Sequence, residues 1–355
     1  MSRIDGMRLA PALFCLLALL AGCRTGAFTM DRDLDRLMRD YDGAVPGAAV
    51  LVLRDGQPLV RKGYGMAALE TGTAVTPQTG FRLASISKQF TAASILLLAQ
   101  DGRLALEDPV RRWLPSLPAA AGPITLRHLL THSSGLVDYE DLMAADATVQ
   151  VRDADVLRLL ERENRLYFAP GSDYRYSNSG YALLALVVGR ASGRDFASFL
   201  RERIFAPLDM SGAVAFEDGV SQVAERAYGY SFDDGRWRRT DQSSTSAVLG
   251  DGGIYASIDE LAKWDAALYD DRLLSEASRN AAFSVRAPVR DEADVDGYGY
   301  GWRIHGDALW HSGETIGFRN VIVRWPKERL TVVVLSNRND PEPYRLALRI
   351  AALYR

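Results

Sequence analysis

The 355-residue chain is 48% hydrophobic and 25% charged, the balance of a globular enzyme with enough apolar material for a sizeable core in one large domain or two. Its formal charge of -3 comes with scattered Arg and no Lys/Arg block, which excludes the basic footprint for gripping phosphate backbones; no nucleic-acid partner is expected. Two cysteines, Cys15 and Cys23, are too few for Cys-based zinc motifs.

In chain order, Arg3 and Arg8 accompany an apolar stretch, Leu9 to Gly22, of 14 residues. That is too short to span a bilayer and reads as a cleaved signal. The stretch ends Leu20-Ala21-Gly22-Cys23, which resembles the bacterial lipobox, where cleavage leaves a cysteine that is then lipid-modified. Residues 1–22 are therefore expected to be a lipoprotein signal peptide, Cys23 the lipidation site, 23–30 a tether and 31–355 the folded part. Arg24 after the cysteine resembles lipoproteins sorted to the outer membrane. The expected location is the cell envelope, lipid-anchored through Cys23 and facing the periplasm, with no other membrane contact. With Cys15 removed, no intrachain disulfide can form.

Residues 31–42 carry Leu34, Leu37, Met38 and Tyr41 at helical spacing. Asp55-Gly56 then joins the apolar run Ala48–Leu53 to a strand at Pro58–Tyr64 as a hairpin. From about residue 85 to 270 helical periodicity dominates, punctuated by Gly and Pro. Near the other end, Tyr298–His305, Ala308–His311, Asn320–Trp325 and Leu330–Ser336 read as strands, with Pro326 to Arg329 turning the last pair, and helix returns at Tyr344–Tyr354. The simplest assembly is an α+β fold. An antiparallel sheet built from both chain ends, about 31–84 and 285–355, is flanked by helices, and a mostly helical subdomain, about 85–284, is inserted between.

Ser85-Ile86-Ser87-Lys88 opens a helix that continues through Phe90, Ala93, Ile95, Leu96 and Leu98. Residues three apart share a helix face, so the Lys88 amine is expected beside the Ser85 hydroxyl, with first-turn N–H groups aimed at the nucleophile. The chain has four lysines against 38 arginines, so position 88 breaks a strong preference for Arg. A guanidinium stays protonated at any workable pH, whereas an amine can accept a proton. A second element, Tyr176-Ser177-Asn178, precedes a helix expected over Gly180–Ala191, with Asn178 or Ser179 as N-cap. A tyrosine hydroxyl ordinarily titrates near pH 10, so a neighbouring cation such as Lys88 would be needed for general-base work. The third element, His311-Ser312-Gly313, closes the strand from Ala308, where glycine lets another backbone approach closely.

Ser-x-x-Lys, then Tyr-x-Asn, then His-x-Gly resembles the serine beta-lactamase and penicillin-binding protein pattern. The resemblance is closest to the beta-lactamase-related group with class C architecture, which includes esterases and D-amino-acid peptidases. Arg127 to Leu136, Tyr174 to Tyr181, Ile204 to Met210 and Gly252 to Tyr255 extend it over about residues 45–337. The resemblance implies a beta-lactamase/transpeptidase-like fold and a cofactor-free, metal-free serine hydrolase acting on a small-molecule or peptide substrate. It implies that Ser85 is acylated, Lys88 and Tyr176 move protons, Asn178 holds Lys88 and the acyl side chain, and Ser312 lines the pocket. The backbone N–H groups of Ser85 and Glu314 would form the oxyanion hole. His311 departs from the Lys typical of efficient beta-lactamases, which helps bind the substrate carboxylate. Being only partly charged near neutrality, it implies weak beta-lactam turnover and a preference for esters or peptides. A carboxylesterase with the same triad and a non-catalytic cell-wall peptide-binding lipoprotein are the alternatives.

His128 and His132, four apart on an expected helix, lack a third metal ligand, and the acidic stretch Asp291 to Gly297 has Arg303 where a calcium loop would need Glu. Both read as structural.

Overall fold

The computed structural model describes residues 30–355; the expected signal peptide, Cys23 and all but the last residue of the tether lie outside the described residues. A first helix, α1, covers residues 30–37, so residue 30 is already helical. Strands β1 (Ala48–Arg54) and β2 (Gln57–Tyr64) form the expected hairpin. Asp55 and Gly56 both take positive φ, 53° and 75°, the handedness a two-residue turn needs to match strand twist.

The chain then runs through two long helices that matter for the site, α2 (Lys88–Gln100) and α3 (Asn178–Ser192). It returns as β3 (Ala287–Pro288), β4 (Gly297–Tyr298), β5 (Arg303–His305), β6 (Ala308–Thr315), β7 (Phe318–Trp325) and β8 (Leu330–Ser336), ending in α4 (Pro343–Tyr354). The main sheet has the order β3-β4-β5-β6-β7-β8-β1-β2, every neighbour antiparallel. Both chain ends thus build one sheet, joined where β8 pairs with β1.

Strand alternation sorts the core into two layers. Ala49, Leu51, Leu53, Ile322, Val333 and Leu335 face the inserted helical region. Val50, Val52, Val321, Val323, Val332 and Val334 face α1 and α4, against Leu34, Met38, Tyr344 and Ile350. Because both faces are covered, β1 and β8 are apolar along nearly their whole length. Helix α2 is buried from Lys88 through Leu98, which explains why it is apolar on all sides.

Two expectations need correction. Tyr298–His305 is not one strand: Gly299 and Gly301 break it into β4 and β5, and a side chain at Gly301 would collide with α2, 2.9 Å from the Gln89 Cα. The inserted region also holds strands that helical periodicity hid. Tyr230–Asp233 and Arg236–Arg239 form a hairpin around Asp234-Gly235, and Phe81–Arg82, Ile254–Ala256 and Val214–Ala215 form a small sheet beside the Ser85 segment.

Candidate active site

Ser85 stands on a single 3-10 turn, Ala84–Ser87, which runs into α2. Ala84 is held at φ 49°, a left-handed conformation that costs free energy for a residue with a side chain. The small sheet fixes this strained entry: Leu83 N–H donates to the Ile254 carbonyl at 2.8 Å, and Ile254 N–H donates to Ser87 Oγ at 3.2 Å. From the other side, β6 presses on the same segment. A Cβ at Gly313 would sit 2.0 Å from the Leu83 carbonyl oxygen, so the glycine of the third motif admits this backbone.

Lys88 is fully buried, and its three ammonium hydrogens have three acceptors: Ser85 Oγ at 2.9 Å, Asn178 Oδ1 at 2.8 Å and the Asp251 carbonyl at 3.0 Å. The structure therefore brings Ser85, Lys88 and Asn178 together. Asn178 is fixed in turn by its N–H on Asp138 Oδ2 at 2.7 Å and its Nδ2 on Glu140 Oε1 at 2.9 Å. It opens α3 rather than capping it. The N-cap is Ser177, whose Oγ accepts from Gly180 N–H, so the helix starts one residue earlier than a cap at Asn178 would allow and two earlier than a cap at Ser179 would.

Tyr176 corrects a second expectation. Lys88 Nζ lies 4.9 Å from the centroid of its ring, yet its hydroxyl is buried and bonds neither Ser85 nor Lys88 nor any other group among the described residues. The ring packs against His132 in a tilted pair, 4.2 Å between centroids, and lines a cavity of about 660 Å³ with Tyr174, Arg290 and Glu292. Ser85 lines a separate, smaller cavity of about 50 Å³ with Tyr139, Glu140, Asn178, Asp251 and Glu314. Two of the three polar heads converge; the phenol meets the amine with its face.

His311 is also placed differently from expectation. Its motif lies in the middle of β6, not at a strand end, and the ring is 1% exposed. Nδ1 donates to the Ser312 carbonyl at 2.6 Å, which leaves Nε2 to accept from the Tyr298 hydroxyl at 2.9 Å. Burial, reinforced by the charges of Arg303 and Lys88, holds its pKa well below the usual value, so it is neutral. It presents no charge to a substrate. The strand lines the small cavity with Glu314 and Thr315, farther along than Ser312.

Sequence reasoning missed a buried carboxyl layer under Lys88. Asp251 receives the Tyr139 hydroxyl at 3.1 Å, and burial raises its pKa to about 8 against the opposing charge of Lys88. Asp153 accepts from Leu249 N–H and Gly250 N–H, both at 3.0 Å, and burial raises it to about 6. These bonds shape the turn whose Asp251 carbonyl holds Lys88. The available signal was the Gly250-Asp251-Gly252-Gly253 run, where a Cβ at Gly250 would lie 2.3 Å from the Tyr181 carbonyl. His128 and His132 do not share a helix, which ends at Leu130, and each spends Nδ1 on a backbone N–H. No metal-ligating cluster occurs among the described residues.

Comparison with known proteins agrees with this fold. The family model described as Beta-lactamase matches residues 31–354. Penicillin-binding protein 4* of Bacillus subtilis (strain 168) is 33% identical over 323 residues, covering 85% of this chain and 70% of that protein. The D-aminopeptidase of Gluconobacter oxydans (strain 621H) is 31% identical over 317 residues, covering 86% of this chain but only 58% of its own length. The octameric penicillin-binding protein homologue from Pyrococcus abyssi superposes with a TM-score of 0.79 at 26% identity, over 92% of this chain and 76% of that one. With its fold, its Ser85–Lys88–Asn178 cluster and a family match across nearly its whole described length, the chain belongs to the beta-lactamase family of serine hydrolases.

Proposed function

We propose that this hydrolase works through an acyl-enzyme on Ser85, cleaving ester or amide bonds of small D-amino-acid-type or related acyl donors. The observation that carries the reading is the 2.9 Å bond between Lys88 and Ser85 inside a buried, fully partnered amine site. Ser85 Oγ attacks the carbonyl carbon while its proton passes to Lys88 Nζ in its unprotonated form, the one side-chain amine within hydrogen-bond reach. The carbonyl oxygen takes up the negative charge facing the N–H groups of Ser85 and Glu314, both on the wall of the small cavity. Collapse expels the leaving group, which takes its proton from Tyr176; when water then attacks the acyl-enzyme, its proton passes to the Tyr176 phenolate, and the Ser85–acyl bond breaks as Lys88 returns the proton to Ser85 Oγ. A buried hydroxyl left unpaired costs roughly 1–3 kcal/mol. Tyr176 pays that cost at rest, and a leaving atom within reach of its oxygen would recover it.

Neutral, buried His311 favours acyl donors without a carboxylate anchor. Glu140 and Glu314 on the cavity wall, against the single guanidinium of Arg82, point the same way. Esters and amides are therefore preferred to anionic beta-lactams, and a carboxylesterase using the same groups is the second reading. Incubation with a fluorophosphonate or penicillin, followed by mass spectrometry, is expected to show one adduct on Ser85 that Ser85→Ala abolishes. A protein that only binds cell-wall peptides would gain no mass.

The lipobox-like Leu20 to Cys23 supports export and anchoring through a lipid on Cys23 in the outer membrane, facing the periplasm. Cys23→Ala is expected to move the protein from the membrane fraction to the soluble fraction; retention on the membrane would refute lipid anchoring.

A further inference from the structure

Tyr176 is surrounded by groups from seven parts of the chain. Lys88 comes from α2, His132 from the segment after the short helix Leu126–Leu130, and Tyr181 from α3, while Tyr174 precedes Tyr176 in its own loop. Tyr298 comes from β4, Arg303 from β5 and His311 from β6. Burial keeps both histidines neutral, which leaves Lys88 and Arg303 as the cations on this ring. Arg303 is paired with Glu292, whose carboxylate accepts from Nη1 at 2.8 Å.

Arg303 is an unusual guanidinium. Its side chain is 18% exposed, and its Cζ lies 5.5 Å from the Tyr176 ring centroid and 5.0 Å from that of Trp310, its register partner beside His311. Its Nε is buried without a hydrogen-bond partner among the described residues, as is the Tyr176 hydroxyl. One ion pair with a half-buried glutamate does not account for bringing a cation this deep. Neither cavity beside Ser85 or Tyr176 has Arg303 in its wall, so it does not reach substrate.

We infer that Arg303 is a positioning residue that supplies the standing positive charge beside Tyr176, favouring the phenolate during proton transfer. Lys88 cannot serve this purpose throughout the cycle, because its charge changes when it takes the Ser85 proton. A guanidinium keeps its charge at every step. Arg303 thus replaces, from the neighbouring strand, the charge that neutral His311 does not provide. The inference rests on the assignment of proton transfer to Tyr176.

The test compares wild type, Arg303→Met, Arg303→Lys and Glu292→Gln in kcat/KM for a p-nitrophenyl ester across pH. The tyrosinate absorbance that Tyr176→Phe removes is titrated alongside. An opposite charge within several ångströms moves an ionisation by about 1 unit or more. Arg303→Met is expected to move the descending limb and the Tyr176 tyrosinate signal upward by about that much, with kcat falling about tenfold and KM little changed. Arg303→Lys should restore most of the shift. Glu292→Gln, which leaves Arg303 in place without its counter-charge, should move both curves to lower pH, an effect that lost packing cannot imitate. If Arg303→Met fails to fold, Glu292→Gln decides alone. A tyrosinate titration unmoved by either substitution overturns the inference. A wild-type rate in Tyr176→Phe would overturn instead the assignment of proton transfer, and the tyrosinate shifts would still report whether Arg303 acts on this ring.

Discussion

Lys88 Nζ donates a 2.8 Å hydrogen bond to Asn178 Oδ1, tying the start of α2 to the start of α3 across 90 residues of chain. The bond orients the amine toward Ser85. Losing a hydrogen bond to a charged group is worth about 1.5–3 kcal/mol. Asn178→Ala is therefore expected to lower kcat on p-nitrophenyl esters by roughly 10- to 100-fold, with KM changing less. Steady-state kinetics check this, and an unchanged kcat would mean that the amine is held adequately by Ser85 and Asp251 alone.

Lys88→Arg keeps a positive charge but removes a group able to accept a proton. General-base catalysis contributes about 100- to 10,000-fold, and the substitution is expected to cost within that range or more. The rate of fluorophosphonate labelling at Ser85 measures the loss directly, and labelling at the wild-type rate would remove Lys88 from the role of base.

Gly313→Ala places a methyl 2.0 Å from the Leu83 carbonyl, so β6 must move away from the Ser85 turn. Acylation is expected to collapse while the rest of the sheet, paired from β7 to β2, survives. Circular dichroism should remain native while labelling fails. Full labelling would show that the strand and the turn can separate without consequence.

Asp251 has a folded pKa of about 8 against an ordinary value of 3.8. Between those values the folded state keeps a proton that the unfolded chain has lost, so stability falls as pH rises through that window. Asp251→Asn, which preserves an oxygen for the Tyr139 hydroxyl, is expected to raise thermal stability relative to wild type more at pH 9 than at pH 4.5. Equal differences at the two pH values would show that the carboxyl is not protonated in the folded protein.

His132 and His311 carry the opposite sign. Both are held neutral when folded, with pKa values below the usual 6.5, so the unfolded state binds more protons as pH falls below that value. Their contribution is present above pH 6.5 and is lost toward acid. His311→Gln should flatten the acid side of the melting-temperature profile, and calorimetry between pH 4.5 and 7 would detect it. An unchanged slope would place the acid loss elsewhere.

The sequence by itself determined what depends on neighbours along the chain. Three residues of helical spacing are enough to pair Ser85 with Lys88, Asp55-Gly56 is enough to turn β1 into β2, and β-branched apolar runs are enough to identify β7 and β8. The three motifs in order also indicated the family and the α+β sheet built from both ends. Tertiary structure decided the orientation of side chains whose partners are far away in sequence. His311 is neutral because it is fully buried beside the charges of Arg303 and Lys88, and no tripeptide pattern records that. Tyr176 offers Lys88 its ring because His132 packs against it, and Arg303 reaches that ring only because β5 lies next to β6. Spacing fixes which backbone positions adjoin, whereas burial and competing partners, assembled only when the layers close, fix which atom of a side chain faces the reaction.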